Sequence, residues 1–128
     1  MFARIAVVLL LASSSALAQK PSPIGTWEGE SLCTVPDSPC RNEHVVYEIK
    51  ADPKMPAHIT IDAFKIVNAE KLFMGALNCT WKESDSVVTC HYRADDDWSF
   101  KIAGNKMEGT LHIKKERQLY RNISVTKK

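Results

Sequence analysis

Cys79-Thr80-Trp81-Lys82-Glu83-Ser84-Asp85-Ser86-Val87-Val88-Thr89-Cys90 is the stretch from which the fold can be read. Residues 83–86 are polar and turn-forming, and as a four-residue loop they set Lys82 opposite Val87. Counting back, Trp81 faces Val88, Thr80 faces Thr89 and Cys79 faces Cys90. In that register the two cysteines form a non-hydrogen-bonded pair, where side chains of antiparallel strands are closest. That spacing suits a disulfide across the ladder. The pair therefore acts as a ruler, telling which alternate residues share a face.

The same counting extends outward. Gly104-Asn105 is a two-residue hairpin turn, which sets Ile102 opposite Met107, Phe100 opposite Gly109 and Trp98 opposite Leu111. A three-residue turn at 115–117 sets Ile113 opposite Leu119 and Leu111 opposite Arg121. Period-two alternation dominates the chain and argues strands, predicted over 24–33, 43–50, 57–65, 71–82, 87–93, 97–103, 106–114 and 118–126. Residues 63–70 fit either a strand or one helical turn. The inward face of the second half reads Phe73, Gly75, Leu77, Cys79 and Trp81, then Val88, Cys90 and Tyr92, then Trp98, Phe100 and Ile102. It continues through Met107, Gly109, Leu111 and Ile113 to Leu119, Arg121, Ile123 and Val125. In the first half Trp27, Val45, Tyr47, Ile49, Ile59 and Ile61 look inward. Glu28, Glu48, Lys82, His91, Lys101, Glu108 and His112 make the opposite, solvated face.

The chain has four cysteines, which allow three pairings. Local pairing, Cys33–Cys40 and Cys79–Cys90, fits the hairpin register and the proline-bearing loop between Cys33 and Cys40. Short loops limit each bond to roughly 2–3 kcal/mol in the chain-entropy account. Zinc prefers tighter Cys-x2–4-Cys spacings than these. Ahead of the cysteines, Arg4, the apolar run 5–12 and Ala16-Leu17-Ala18 read as a cleavable export signal over residues 1–18. The apolar run is too short to cross a bilayer, which needs about 20 residues. The expected organisation is this signal, a proline-bearing lead-in at 19–23 and one β domain over 24–126, located in the periplasm or outside the cell, where disulfides persist.

The chain carries 17 Lys+Arg and 15 Asp+Glu. Loss of Arg4 with the signal brings these close to balance, so there is no electrostatic case for nucleic acid. No second apolar stretch could span a membrane. The four histidines have no close ligand spacing, and Asp95-Asp96-Asp97 lacks the spaced oxygens and glycine of a calcium loop, so no metal or other cofactor is expected. No serine–histidine–aspartate order, nucleophile elbow, catalytic carboxylate pair or phosphate-cradling glycine loop is visible, and nothing supports an enzyme. Asn78-Cys79-Thr80 and Asn122-Ile123-Ser124 match the glycosylation pattern, both inside predicted strands.

Consecutive hairpins with one apolar and one polar face make an antiparallel meander. Eight strands can remove their edges by closing into an up-and-down barrel. Gly25-Thr26-Trp27 opens the first strand, and a G-x-W there on an eight-stranded meander resembles the lipocalin and wider calycin group. The resemblance implies that Trp27 packs across the barrel floor under a cation from the last strand. Arg121 and Lys127 both have the right parity for it. No ligand transfers with the resemblance.

An eight-stranded barrel is either filled by side chains or holds one small ligand. Arg121, inward among apolar residues, needs a carboxylate, carbonyl oxygens or an aromatic face, or else awaits an anionic head group. Trp81, Tyr92, Trp98, Phe100 and Met107 would line an apolar wall beside it. The leading reading is thus a binding protein for a small apolar or amphipathic ligand, and the rival is a protein-interaction module such as a protease inhibitor. The rival would act through residues 19–23 and the Cys33–Cys40 loop.

Overall fold

The computed structural model describes residues 20–113 and 118–128. The expected export signal and the turn at 115–117 lie outside the described residues. Eight antiparallel strands run β1 (Gly25–Cys33), β2 (Glu43–Asp52), β3 (Met55–Val67), β4 (Glu70–Lys82), β5 (Val87–His91), β6 (Asp96–Ala103), β7 (Lys106–Ile113) and β8 (Gln118–Lys127). Each pairs with its neighbour in sequence, and β8 pairs with β1 to close the barrel. A single 3-10 turn, Glu83–Asp85, joins β4 to β5. Among the described residues no helix is long and apolar enough to cross a membrane.

The hairpin registers follow the turn chemistry. Lys82 pairs with Val87 and Cys79 with Cys90, and the Cys79–Cys90 disulfide forms across a Cα separation of 4.1 Å. Ile102 pairs with Met107, Phe100 with Gly109 and Trp98 with Leu111. A Cβ on Gly109 would lie 2.3 Å from the Phe100 ring, so the ring occupies the space that the glycine leaves. The second disulfide, Cys33–Cys40, staples the β1–β2 loop. That loop is also tied to β8 by Thr34, which donates to the carbonyls of Tyr120 and Leu119.

Two inward assignments, Phe73 and Leu119, are corrected by irregularities of the strands. In β4 the register shifts between Ala63 and Phe64 of its partner, so Gly75 pairs with Ala63 and Phe73 with Phe64, leaving Met74 as an extra residue. The bulge reverses the alternation beyond it, and Phe73 is 62% exposed. Tyr92, one residue past the end of β5, keeps its inward parity with its ring against Gly75, although it is 49% exposed at the barrel end. In β8, Arg121 pairs with Leu111 as expected, but Leu119 pairs with His112 rather than Ile113, because Tyr120 is the extra residue. Residues 63–67 belong to β3, so the helical alternative there is excluded.

The β3–β4 turn places both Asn68 (φ 50°) and Ala69 (φ 65°) in the left-handed region. Asparagine tolerates this region, whereas alanine pays a steric penalty there that glycine avoids. Ala69→Gly is expected to raise stability by about 0.5–1 kcal/mol, read as a higher denaturant midpoint at unchanged slope.

The lower half of the barrel is solid. Trp27, Ile61, Val88, Phe100, Met107 and Val125 are fully buried there. Tyr47 meets Phe100 edge to face, and Trp98 stacks on it. The floor is closed by the lead-in: the Trp27 indole N–H donates to the Pro23 carbonyl at 2.8 Å. The Lys127 ammonium lies 5.5 Å from the Trp27 ring centroid and donates to the Ser22 carbonyl. Lys127, not Arg121, is therefore the cation on the floor tryptophan.

Candidate functional site

Arg121 sits at the other end. The β1–β8 pairing puts it beside Cys33, and the β1–β2 pairing brings Ser31 opposite Glu43. The guanidinium donates through Nη2 to Glu43 Oε1 at 3.1 Å. Through Nη1 it donates to Ser31 Oγ at 3.2 Å and to the Arg41 carbonyl at 3.0 Å. The pair is largely buried, with side chains 12% and 20% exposed. Next to it Tyr47 is buried. Its phenol is pushed above the usual tyrosine range, mainly by burial and then by the Glu43 charge, so the hydroxyl keeps its proton.

These groups form one wall of a cavity of about 350 Å³ at the barrel mouth. Met74, Gly75 and Leu77 of β4 form a second wall. Tyr92, Arg93, Asp96 and Trp98 face them from the end of β5 and the start of β6. Burial holds the Asp96 carboxyl above the usual carboxylate range, and the neighbouring Asp95 charge adds to this, while Arg93 opposes it. Trp98 is partly buried, yet its indole N–H is sealed from solvent without an acceptor among the described residues. The cavity is thus an aromatic recess with one neutralised ion pair, a protonated phenol and an unused donor in its wall, and with Arg93 and Asp96 as further charged groups in its lining.

Of the residues singled out from sequence, Arg121, Tyr92 and Trp98 line this cavity. Phe100 and Met107 do not; both are fully buried in the packed half below it. Trp81 packs against the core cluster near the floor end of β4 and is also absent from the lining. Glu43 was missed. Its signal was present, because Glu43, Val45 and Tyr47 alternate in β2 and put the carboxylate on the inward parity that Arg121 requires. The two contact elements of the interaction-module reading stand at opposite ends: Pro23 under the floor and the Cys33–Cys40 loop at the mouth. The nine residues of β1 separate them, about 30 Å of strand.

A second hollow, about 390 Å³, lies on the outer face of β1, β8, β7 and β6. Its walls include the exposed Leu32, Lys101, Glu108, Asn122 and Ser124, and the mouth has the more specific chemistry. Asn78 and Asn122 are exposed on outer faces. Among the described residues, no group of three or more His, Cys, Asp or Glu side chains is arranged to hold a metal ion.

One outer cluster makes stability depend on pH. His44 Nδ1 lies 2.7 Å from Glu30 and Nε2 lies 3.7 Å from Glu28. The hydrogen bond to Glu30 is the main cause raising the imidazole above its usual range. A group whose pKa rises on folding adds stability fully below its unfolded value, and that gain is lost as pH rises through the folded value. The side chain is well exposed, so the effect is small. The stability difference between the wild type and His44→Gln is expected to be greater at about pH 5.5 than at about pH 8.5, by paired thermal melts.

In comparisons with known protein families, curated proteins and solved structures, the chain finds no match.

Proposed function

We propose that this protein is an exported β-barrel binding protein whose mouth cavity takes a small amphipathic ligand without net charge. The observation that carries the reading is the division of the interior. Side chains fill the lower half, and about 350 Å³ stays open above Phe100, near the small end of the range for ligand sites. Because Glu43 already neutralises Arg121, an anionic head group would have to displace a carboxylate. A neutral group that both donates and accepts hydrogen bonds suits the pair better, while Tyr92, Trp98 and Met74 supply the apolar contact. Residues 1–18 serve as the cleaved signal in this reading, and both disulfides fit an oxidising compartment.

The Gly25-Thr26-Trp27 opening and the Lys127–Trp27 floor contact support a lipocalin-like ancestry. The interaction-module reading loses ground because its two contact elements lie at opposite ends of the barrel. Native mass spectrometry of protein recovered from the exported fraction is the test. A small uncharged adduct, released by organic solvent and reduced by Trp98→Ala, is expected. Protein that carries nothing and takes up no member of a panel of neutral amphiphiles would overturn the proposal.

A further inference from the structure

The barrel wall is incomplete on one side of the mouth. β4 pairs with β3 from Glu70 to Thr80 but with β5 only from Asn78 to Lys82. β5 stops at His91, and the chain turns away through Arg93, whose carbonyl accepts from the Asp96 N–H. From Glu70 to Leu77, then, β4 has no strand beside it on that side among the described residues. At about 3.3 Å per residue this is an edge of about 26 Å.

The disulfide fixes which groups face the gap. A Cα separation of 4.1 Å makes Cys79–Cys90 a non-hydrogen-bonded pair. Asn78 and Thr80 therefore aim their N–H and C=O groups at β5, and Ala76, two residues back, aims its own into the open gap. Unpaired backbone of this kind is a template for another strand. Residues 72–77 hold no charge and no proline to protect the edge. Leu72, Phe73 and Met74 are exposed along it, and the bulge at Met74 is the one interruption. The Tyr92 ring reaches across to Gly75, 3.1 Å from where a Cβ there would lie, and the mouth cavity opens around it between Met74 and Gly75 on one bank and Tyr92 and Arg93 on the other, so an incoming strand displaces that ring.

We infer that the gap is a slot for an extended segment of another polypeptide, which adds to β4 as a strand and directs one apolar side chain into the mouth cavity. Strand addition draws affinity from main-chain hydrogen bonds and specificity from pockets for alternate side chains, and both are present here. A second copy of this chain fits less well. Two edges of this length meeting over one sheet thickness bury roughly 260 Å² per partner, against roughly 800 Å² in a stable dimer. The inference rests on the mouth being an open binding site, and a peptide would compete there with the amphipathic ligand.

The test uses the disulfide-bonded protein and a displayed library of random seven-residue peptides. Selected peptides, made synthetically, should carry apolar residues at alternate positions, and their binding should slow hydrogen exchange at Ala76. N-methylation of alternate peptide amides should weaken binding about tenfold or more. Ala76→Pro, at an exposed residue whose N–H faces the gap, should do the same. If no peptide is selected, if N-methylation has no effect, or if the free protein dimerises through β4, the inference fails. Phenylnaphthylamine, a neutral fluorescent amphiphile, separates the two readings. Probe uptake without peptide binding overturns only the strand slot, and peptide binding without uptake overturns only the small-ligand reading.

Discussion

Gly29→Ala is expected to prevent the barrel from closing. Gly29 lies in β1 between Val45 of β2 and Val125 of β8, at the seam where the last strand meets the first. A Cβ there would lie 2.0 Å from the Ser124 carbonyl oxygen and 2.8 Å from the Val125 Cα. Both are backbone atoms, so no side chain can swing aside, and relief requires β1 and β8 to separate. The lost seam pairs Trp27 through Cys33 with Lys127 through Arg121, which includes the floor contact and the Arg121 anchor. An overpacked core site costs typically 1–3 kcal/mol; a clash with backbone at the closing seam should exceed that. The expected result is protein that exposes apolar surface to a dye and lacks a cooperative melt. A native-like melt for Gly29→Ala would show that the seam is not as tight as described.

Arg121→Ala should be the most damaging single change at the mouth. It leaves Glu43 and Ser31 in a largely buried site without their donor, and the Arg41 carbonyl loses its partner as well. Removing one member of a buried pair costs about 3–5 kcal/mol, and partial exposure places this pair at the low end, about 3 kcal/mol. Removing both charges should cost less than removing one. Arg121→Met combined with Glu43→Leu is therefore expected to recover much of the loss, giving a strong favourable coupling in a double-mutant cycle. Additive losses would mean that the two side chains do not act as a pair.

Sequence reasoning reached most of the barrel because its signals were local. The cysteine pair at 79 and 90, the turns at 83–86 and 104–105, and the aromatic–glycine pair at 100 and 109 each set a register by counting. Alternation failed where the strands carry an extra residue. The bulges at Met74 and Tyr120 depend on how β4 and β8 meet their neighbours, which no short stretch encodes. Phe73 was misassigned for that reason, and the gap beside β4 could not be foreseen. At the site, Arg121, Tyr92 and Trp98 were legible from parity alone. Phe100 and Met107 share that parity but lie deeper, because parity gives the face of a strand and not the depth along the barrel. The choice between Arg121 and Lys127 for the floor required the closing register of β8 on β1, which puts Lys127 opposite Trp27.

If the mouth is open and selective while the lower half is solid, NMR titration with phenylnaphthylamine will separate the two ends of the barrel. Saturable shifts are predicted for the Trp98 indole N–H, Tyr47 and Arg121, with the Trp27 and Trp81 indoles unmoved. Absence of saturable shifts, or shifts centred on Trp27 and Trp81, would contradict it.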